Sequence, residues 1–324
     1  INMTATVGYD YSTPISYSFE NDNTPCSANA GSGGSNSGWQ SSNTFPDSGL
    51  DPNKCYGYKV TARDNLSIAG TVSSISTTYT SANVPGQPTL SNPQLDTLDI
   101  DNDANGNPSS NPTTYFAAQV TYSNPSDSTW DGMWVNASGN PSGSEVWLTD
   151  AELDAITLQG LNPGTTYGVS VKARNENLDN TSLGSEGQGV TFAPLISVII
   201  SGETIPYGVV APGASKSTLQ TNPVTTQSAE NNGNVPEDFT ISSTNAVNGV
   251  TWTLSVTPGF AYEFSTDGGS IWTPFISAGS PLPLVDNIAD GSTQAFDLRI
   301  TVPTDPGDTL EKTITNTITA SQAE

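Results

Sequence analysis

The sequence predicts an all-β fold, three antiparallel β-sandwiches in tandem. Three observations carry this. Apolar and polar residues alternate with period 2 in short runs, the spacing of half-buried strands. No long window sustains apolar residues at i, i+3, i+4 and i+7, so helices are scarce. The 30 Gly and 23 Pro fall mostly between the alternating runs, where turns belong. A chain of 324 residues holds two or three domains at roughly 100–150 residues each.

The first domain is expected over 1–84. Its strands are Ile1–Val7, Ile15–Phe19 and the run Tyr56-Gly-Tyr58-Lys-Val60-Thr-Ala62. The second is expected over 85–194, with strands at Thr114–Val120 and at Val169-Ser-Val171-Lys-Ala173. One short helical turn is expected at Asp150–Ala155, capped by Thr149 or Asp150. The third is expected over 195–324, opening with Ile196–Ile200. Phe296–Val302 is a later strand, and the alternation of Lys312–Ala320 marks the last one.

Composition excludes whole classes of chemistry. There are 8 Lys+Arg against 32 Asp+Glu, a formal charge of −24. Clustered cations for phosphate neutralisation are missing, so nucleic acid is no partner. Charged residues make up only 12%, and halophilic adaptation would raise total charge rather than leave it low. With no His, Ser-His-Asp and Cys-His catalysis and His metal sites are out. Two Cys cannot build a four-thiolate site. No apolar run approaches the ~18 residues of a membrane span.

The strongest organisational signal is a repeat. Gly49-Leu50-Asp-Pro52, Tyr56, Val60, Ala62 and Arg63 match Gly160-Leu161-Asn-Pro163, Tyr167, Val171, Ala173 and Arg174, each 111 residues on. Leu packs inward at a strand end, Pro turns the chain over, and Tyr starts the next strand. The Tyr ring is expected to be buried with its hydroxyl bonded to the turn backbone.

Gly-Leu-x-Pro-x-x-x-Tyr-x-x-x-Val-x-Ala-Arg resembles the E–F corner and F strand of fibronectin type III domains. Asn105-Gly-Asn107-Pro108 followed by Thr114–Val120 resembles the B–C region of bacterial members. The resemblance implies two such sandwiches and structural roles for Tyr56 and Tyr167. The third segment lacks the corner. Its Asn231-Asn-Gly-Asn234-Val-Pro236-Glu-Asp238-Phe239 resembles the strand entry of bacterial immunoglobulin-like surface repeats. Aligned this way, Ile1–Val7 is strand B of the first domain and Ile15–Phe19 strand C, and strand A has no residues. Two expectations follow. Either the strand lies upstream of Ile1, or a neighbouring molecule supplies it, since an unpaired edge invites augmentation.

Four motifs bear on chemistry. Cys26 and Cys55 are expected to form a disulfide, with two free thiols as the alternative. The bridge would pin the Gly/Ser/Asn-rich loop over 21–42. Asp99-Ile-Asp101-Asn-Asp103-Ala-Asn105-Gly106 has the alternating oxygens of a calcium loop. Pro112 stands where an EF-hand needs Glu, so the choice is a looser Ca²⁺ site at Asp99, Asp101, Asp103 and Asn105 or a solvated acidic turn. Asp150, Glu152 and Asp154 form a second acidic cluster. Ser265-Thr-Asp267-Gly-Gly269-Ser-Ile-Trp272 matches an Asp-box, read here as a hairpin device with structural roles for Asp267 and Trp272. Trp39, Trp130 and Trp134 are either sugar-stacking rings or sandwich covers, with Trp130 and Trp134 placed on one strand face. The four Asn-x-Ser/Thr sequons, at Asn2, Asn65, Asn136 and Asn180, permit glycosylation.

No catalytic residues stand out, and the protein is expected not to be an enzyme. The expected function is a structural extracellular or cell-surface protein, a subunit of a filament, surface layer or adhesin stalk, with self-association into a polymer. The alternative is an accessory carbohydrate-binding module of a secreted polysaccharide-active protein. The Pro-containing joints at Val84–Pro88 and Phe192–Leu195 are expected to be stiff.

Overall fold

The computed structural model of the chain describes residues 1–202, 204–255 and 259–323. These residues form an all-β structure in two compact units, Ile1–Ala193 and Pro194–Glu324. The boundary anticipated at 84/85 therefore falls inside the first unit, and the later one lies at 193/194.

The first part of the first unit holds β1 (Asn2–Thr4), β2 (Ser16–Asn21), β3 (Gly38–Gln40), β4 (Thr44–Pro46), β5 (Cys55–Arg63) and β6 (Ser76–Tyr79). They make a two-stranded sheet, β1-β4, over a four-stranded sheet ordered β3-β2-β5-β6. Ala5, Tyr17 and Phe19 form the buried cluster between them, with Met3, Ile15, Phe45, Val60 and Ala62 partly covered.

The second part holds β7 (Thr89–Ser91), β8 (Leu98–Asp101), β9 (Tyr115–Asn124), β10 (Trp134–Val135), β11 (Pro141–Ser142), α1 (Asp150–Leu153), β12 (Thr157–Leu158), β13 (Thr166–Arg174) and β14 (Gly187–Val190). The sheets are ordered β12-β8-β7 and β11-β10-β9-β13-β14. The core between them is large and contains Trp130, Phe116, Leu158, Tyr167, Val169 and Val171. Alternation along β8 explains its face choice: Leu98 and Ile100 point in, Asp99 and Asp101 out. The short α1 forms where capping predicts. Thr149 accepts the Glu152 amide, and the Glu152 carboxylate accepts the Thr149 amide at 2.8 Å.

The second unit holds β15 (Val198–Ser201), β16 (Ser215–Ser217), β17 (Gln227–Asn231), β18 (Glu237–Ser243), β19 (Ala261–Ser265), β20 (Thr273–Pro274), β21 (Leu282–Ile288), β22 (Thr293–Thr301) and β23 (Asn316–Gln322). One sheet runs β15-β17-β22-β19-β20 with β16 also on β22, and the other runs β21-β18-β23. Phe260, Tyr262 and Phe275 stack through its core, Tyr262 and Phe275 with ring centroids 5.3 Å apart. The last strand begins at Asn316, four residues later than the alternation suggests. Thr313 makes only an isolated bridge to Val247. Lys312 is held out of the ladder by Asp308 and by the carbonyls of Asn248 and Val250.

Candidate functional site

The two repeat corners are built alike. Tyr56 and Tyr167 are fully buried, and each hydroxyl accepts the amide of the residue five positions earlier. Asp51 donates to Tyr56 at 2.9 Å and Asn162 to Tyr167 at 2.7 Å. The hydroxyl protons go to different partners. Tyr56 donates to the Ser32 carbonyl at 2.7 Å, whereas Tyr167 donates to the buried Asp127 carboxylate at 2.6 Å. Burial, and then the Asp127 carboxylate, push the Tyr167 hydroxyl above its ordinary value. Gly31 must be glycine, because a Cβ there would lie 2.2 Å from the Tyr56 hydroxyl. Cys26 and Cys55 are joined, with Cα atoms 5.5 Å apart. The bridge ties the turn after β2 to the start of β5, next to Tyr56.

The Asp99–Asn105 segment is distributed over separate tasks. Asp99 accepts from the Thr157 hydroxyl and, at 2.7 Å, from Asn92, and these bonds hold its carboxyl below the usual range. Asp103 accepts the Asn105 amide at 2.9 Å, a local turn that lets Asn105 take φ +48°. Asn105 then donates to the Val84 carbonyl at 2.9 Å, and Asn107 exchanges bonds with Asn83. The turn thus clasps the joint at Asn83–Val84. Asp101 is exposed at the end of β8. Among the described residues no group of three Asp or Glu converges in a way that could hold a metal ion. In the second acidic cluster, Asn102 donates to Asp150 at 2.7 Å and its amide to Asp154 at 2.8 Å. Burial, then the charges of Asp150 and Asp101, raise the Asp154 carboxyl.

The joint between the first two sandwiches carries polar side chains that the motif search did not single out. Asn53 is fully buried with φ +47°. Its amide donates to the Thr114 hydroxyl at 2.8 Å, and its carbonyl accepts the Glu176 amide at 2.8 Å. Asn175, itself buried, donates to the Thr80 carbonyl at 3.1 Å. The E–F corner of the first sandwich therefore sits on the loops of the second that precede β9 and follow β13. Asn53 follows the corner Pro52 in the sequence. That position is a sequence-level hint, but its partners lie sixty and more residues away.

The Asp-box is a hairpin device. The Asp267 carboxylate accepts from the Ile271 and Ser270 amides and from the Ser265 hydroxyl, and these bonds lower it. Gly268 and Gly269 take φ +71° and +86°. Trp272 lies under the Arg299 guanidinium, 4.5 Å from the ring centroid.

That pairing is general. Arg63 covers Trp39 at 4.1 Å, Lys172 covers Trp134 at 4.6 Å, Arg174 covers Trp147 at 4.3 Å and Lys312 covers Trp252 at 5.1 Å. Five of the chain's eight cations lie over Trp rings, so these rings have at least one face already covered. Trp130 and Trp134 do not share a strand face, which corrects the sequence reading. Trp130 is in a turn and fully buried, because the chain folds back after β9 before β10 begins. Among the described residues the most exposed aromatic rings are Tyr9 and Tyr11, 88% and 96% exposed, in edge contact with centroids 6.1 Å apart; Trp39, Tyr115, Tyr122 and Phe192 are exposed to a lesser degree.

No family model matches the chain, and no curated protein does. Among solved structures, it is similar to the FN1–FN3 domains of chicken CNTN1, with 13% identity and a TM-score of 0.25 over 59% of this chain and 58% of that one. It is also similar to the chitinase ChiA74 from Bacillus thuringiensis, with 13% identity and a TM-score of 0.20 over 72% of this chain and 29% of that one. The chain thus spans less than two thirds of either. The strand orders and the paired tyrosine corners show an all-β chain whose first unit is built from antiparallel sheets packed as sandwiches.

Proposed function

We propose that the protein is a structural, non-catalytic extracellular protein, a subunit of a surface filament, surface layer or adhesin stalk. The observation that supports this best is the joint closed by Asn53, Thr114 and Asn175. Buried side-chain hydrogen bonds between consecutive sandwiches cost about 1–3 kcal/mol each to leave unmade, so the joint resists bending. A load-bearing chain of modules needs such joints. The disulfide fits an oxidising compartment. Among the described residues no helix is long and apolar enough to cross a membrane. Electron microscopy and light scattering of the purified chain test the reading. Ordered polymers support it, and a monomer at all concentrations counts against it.

The exposed Tyr9–Tyr11 pair favours a second reading, an accessory polysaccharide-binding module. Retention on a polysaccharide column, lost in Tyr9→Ala and Tyr11→Ala, is its test.

A further inference from the structure

The chain's few cations are placed by one rule. Of the eight Lys and Arg, six lie inside strands: Lys59 and Arg63 in β5, Lys172 and Arg174 in β13, Lys216 in β16 and Arg299 in β22. β5, β13 and β22 are interior strands, each paired on both sides. The other two cations sit beside paired backbone. Thr80 donates its amide to the Lys54 carbonyl at 2.9 Å, and Thr313, the residue after Lys312, donates to the Val247 carbonyl at 3.0 Å. Where a cation ends its strand, the next amide is held too. Asp64 donates to the Ile68 carbonyl and Asn175 to that of Asp179, both at 3.1 Å.

The charged head groups are engaged as well. Five of them stack on Trp rings, and the other three bond to oxygen. Lys54 donates to the Asn111 carbonyl at 2.5 Å, Lys216 to the Tyr207 carbonyl at 2.6 Å, and Lys59 pairs with Asp22 at 3.0 Å. Three of the stacked cations also meet a carboxylate: Arg299 meets Glu263 at 2.6 Å, Lys312 meets Asp308 at 2.8 Å, and Lys172 meets Glu145. The open loops carry other residue types. Leu66 and Leu178 are 69% and 68% exposed, and Tyr9 and Tyr11 more so.

We propose that the folded chain is closed to endoproteases that cut after Lys or Arg, the trypsin class, while its loops stay open to enzymes that read aromatic or apolar residues. The proposal goes beyond the reading above, since it holds for a single chain whether or not it polymerises. A protease of this class draws an extended segment of several residues into its cleft and takes the cation, as a free head group, into a pocket. Both demands are blocked at all eight positions, because the segment is bonded into a ladder or turn and the head group is already paired or stacked. Cleavage then waits for the segment to open, and interior strands open with free energies that approach that of global unfolding. Exposed loops open at almost no cost.

Trypsin and chymotrypsin at equal activity test this on the whole chain, at a dilution where light scattering reads a monomer, so that the outcome is separate from the filament reading. Chymotrypsin is expected to nick the folded chain after Tyr9, Tyr11 or Leu66. Trypsin is expected to act at least about a hundredfold more slowly, since its rate follows the population of opened chain. Urea below the unfolding midpoint is expected to speed trypsin steeply and the loop cuts little, because only the first route exposes buried surface. Leu66→Lys puts a free cation in an open loop and is expected to be cut by trypsin after residue 66, at about the rate of the chymotryptic nick. Trypsin cleavage after any of the eight native cations within about tenfold of the chymotryptic rate overturns the proposal. So does an equal urea dependence of the two enzymes. Resistance of Leu66→Lys would also overturn it, by placing the protection in the whole surface rather than in where the cations lie.

Discussion

Tyr167→Phe tests the corner most sharply. The substitution removes one oxygen from a fully buried ring. The Asn162 amide loses its acceptor, and the Asp127 carboxylate, only 4% exposed, loses its charge-assisted donor while keeping the Thr129 amide. A hydrogen bond to a charged group contributes about 1.5–3 kcal/mol, and the orphaned amide adds about 1 kcal/mol. The expected cost is about 2.5–4 kcal/mol. For a sandwich of this size that lowers the melting temperature by on the order of 10 °C or more. Tyr56→Phe loses a neutral carbonyl acceptor instead, so about 1–2 kcal/mol is expected. Calorimetry of the whole chain, with the fluorescence of buried Trp130 reporting on the second sandwich, separates the two. A Tyr167→Phe cost under about 0.5 kcal/mol, or a larger loss for Tyr56→Phe, would refute the reasoning.

Mass spectrometry without reduction should find Cys26 linked to Cys55, and reduction should destabilise the first sandwich by about 3 kcal/mol, as expected for a loop of this length. Asn53→Ala should cost about 2–3 kcal/mol and speed exchange of the Glu176 amide, because it orphans that amide and leaves Ala at positive φ; Asn53→Gly, which relieves only the backbone, should recover part of the loss. Burial pushes the Tyr262 hydroxyl up to about 12. The folded state keeps its proton after the unfolded state has lost it near 10, so stability of the second unit should hold below that pH and fall as pH rises towards 12. Alkaline melting curves check this, and an undiminished fall in Tyr262→Phe would count against it. Because Asp99, Asp103 and Asn105 are engaged in hydrogen bonds, Ca²⁺ or a chelator should leave the melting curve unchanged; a rise with Ca²⁺ would show that the ion displaces those bonds.

Much of the fold was legible because it is local. Alternation picked out the residues that β13 and β22 send into their cores, Tyr167, Val169, Val171 and Ala173 and then Phe296, Leu298 and Ile300, and the repeated Gly-Leu-x-Pro…Tyr pattern located both corners, since the Tyr hydroxyl reaches an amide only five residues back. The α1 cap and the Asp-box hairpin were legible for the same reason: each donor lies within a few residues of its acceptor.

Tertiary structure decided what depends on distant partners. The acidic run of Asp99–Asn105 has calcium-loop spacing, but Thr157 and Asn92 both claim Asp99, Val84 claims Asn105, and the Asn105 amide claims Asp103. Spacing put Trp130 beside Trp134, yet a turn rotated Trp130 into the core, where its ring is fully covered. The cations over the other Trp rings come from separate strands, which period and composition do not pair. Asn53 became the centre of a joint only because residues 114 and 176 are folded back against it. The sequence alone located the longest alternating strands and the two corners, because those follow from backbone period and turn chemistry. What lies across each edge, and which polar groups meet at the joint, followed only from the three-dimensional arrangement.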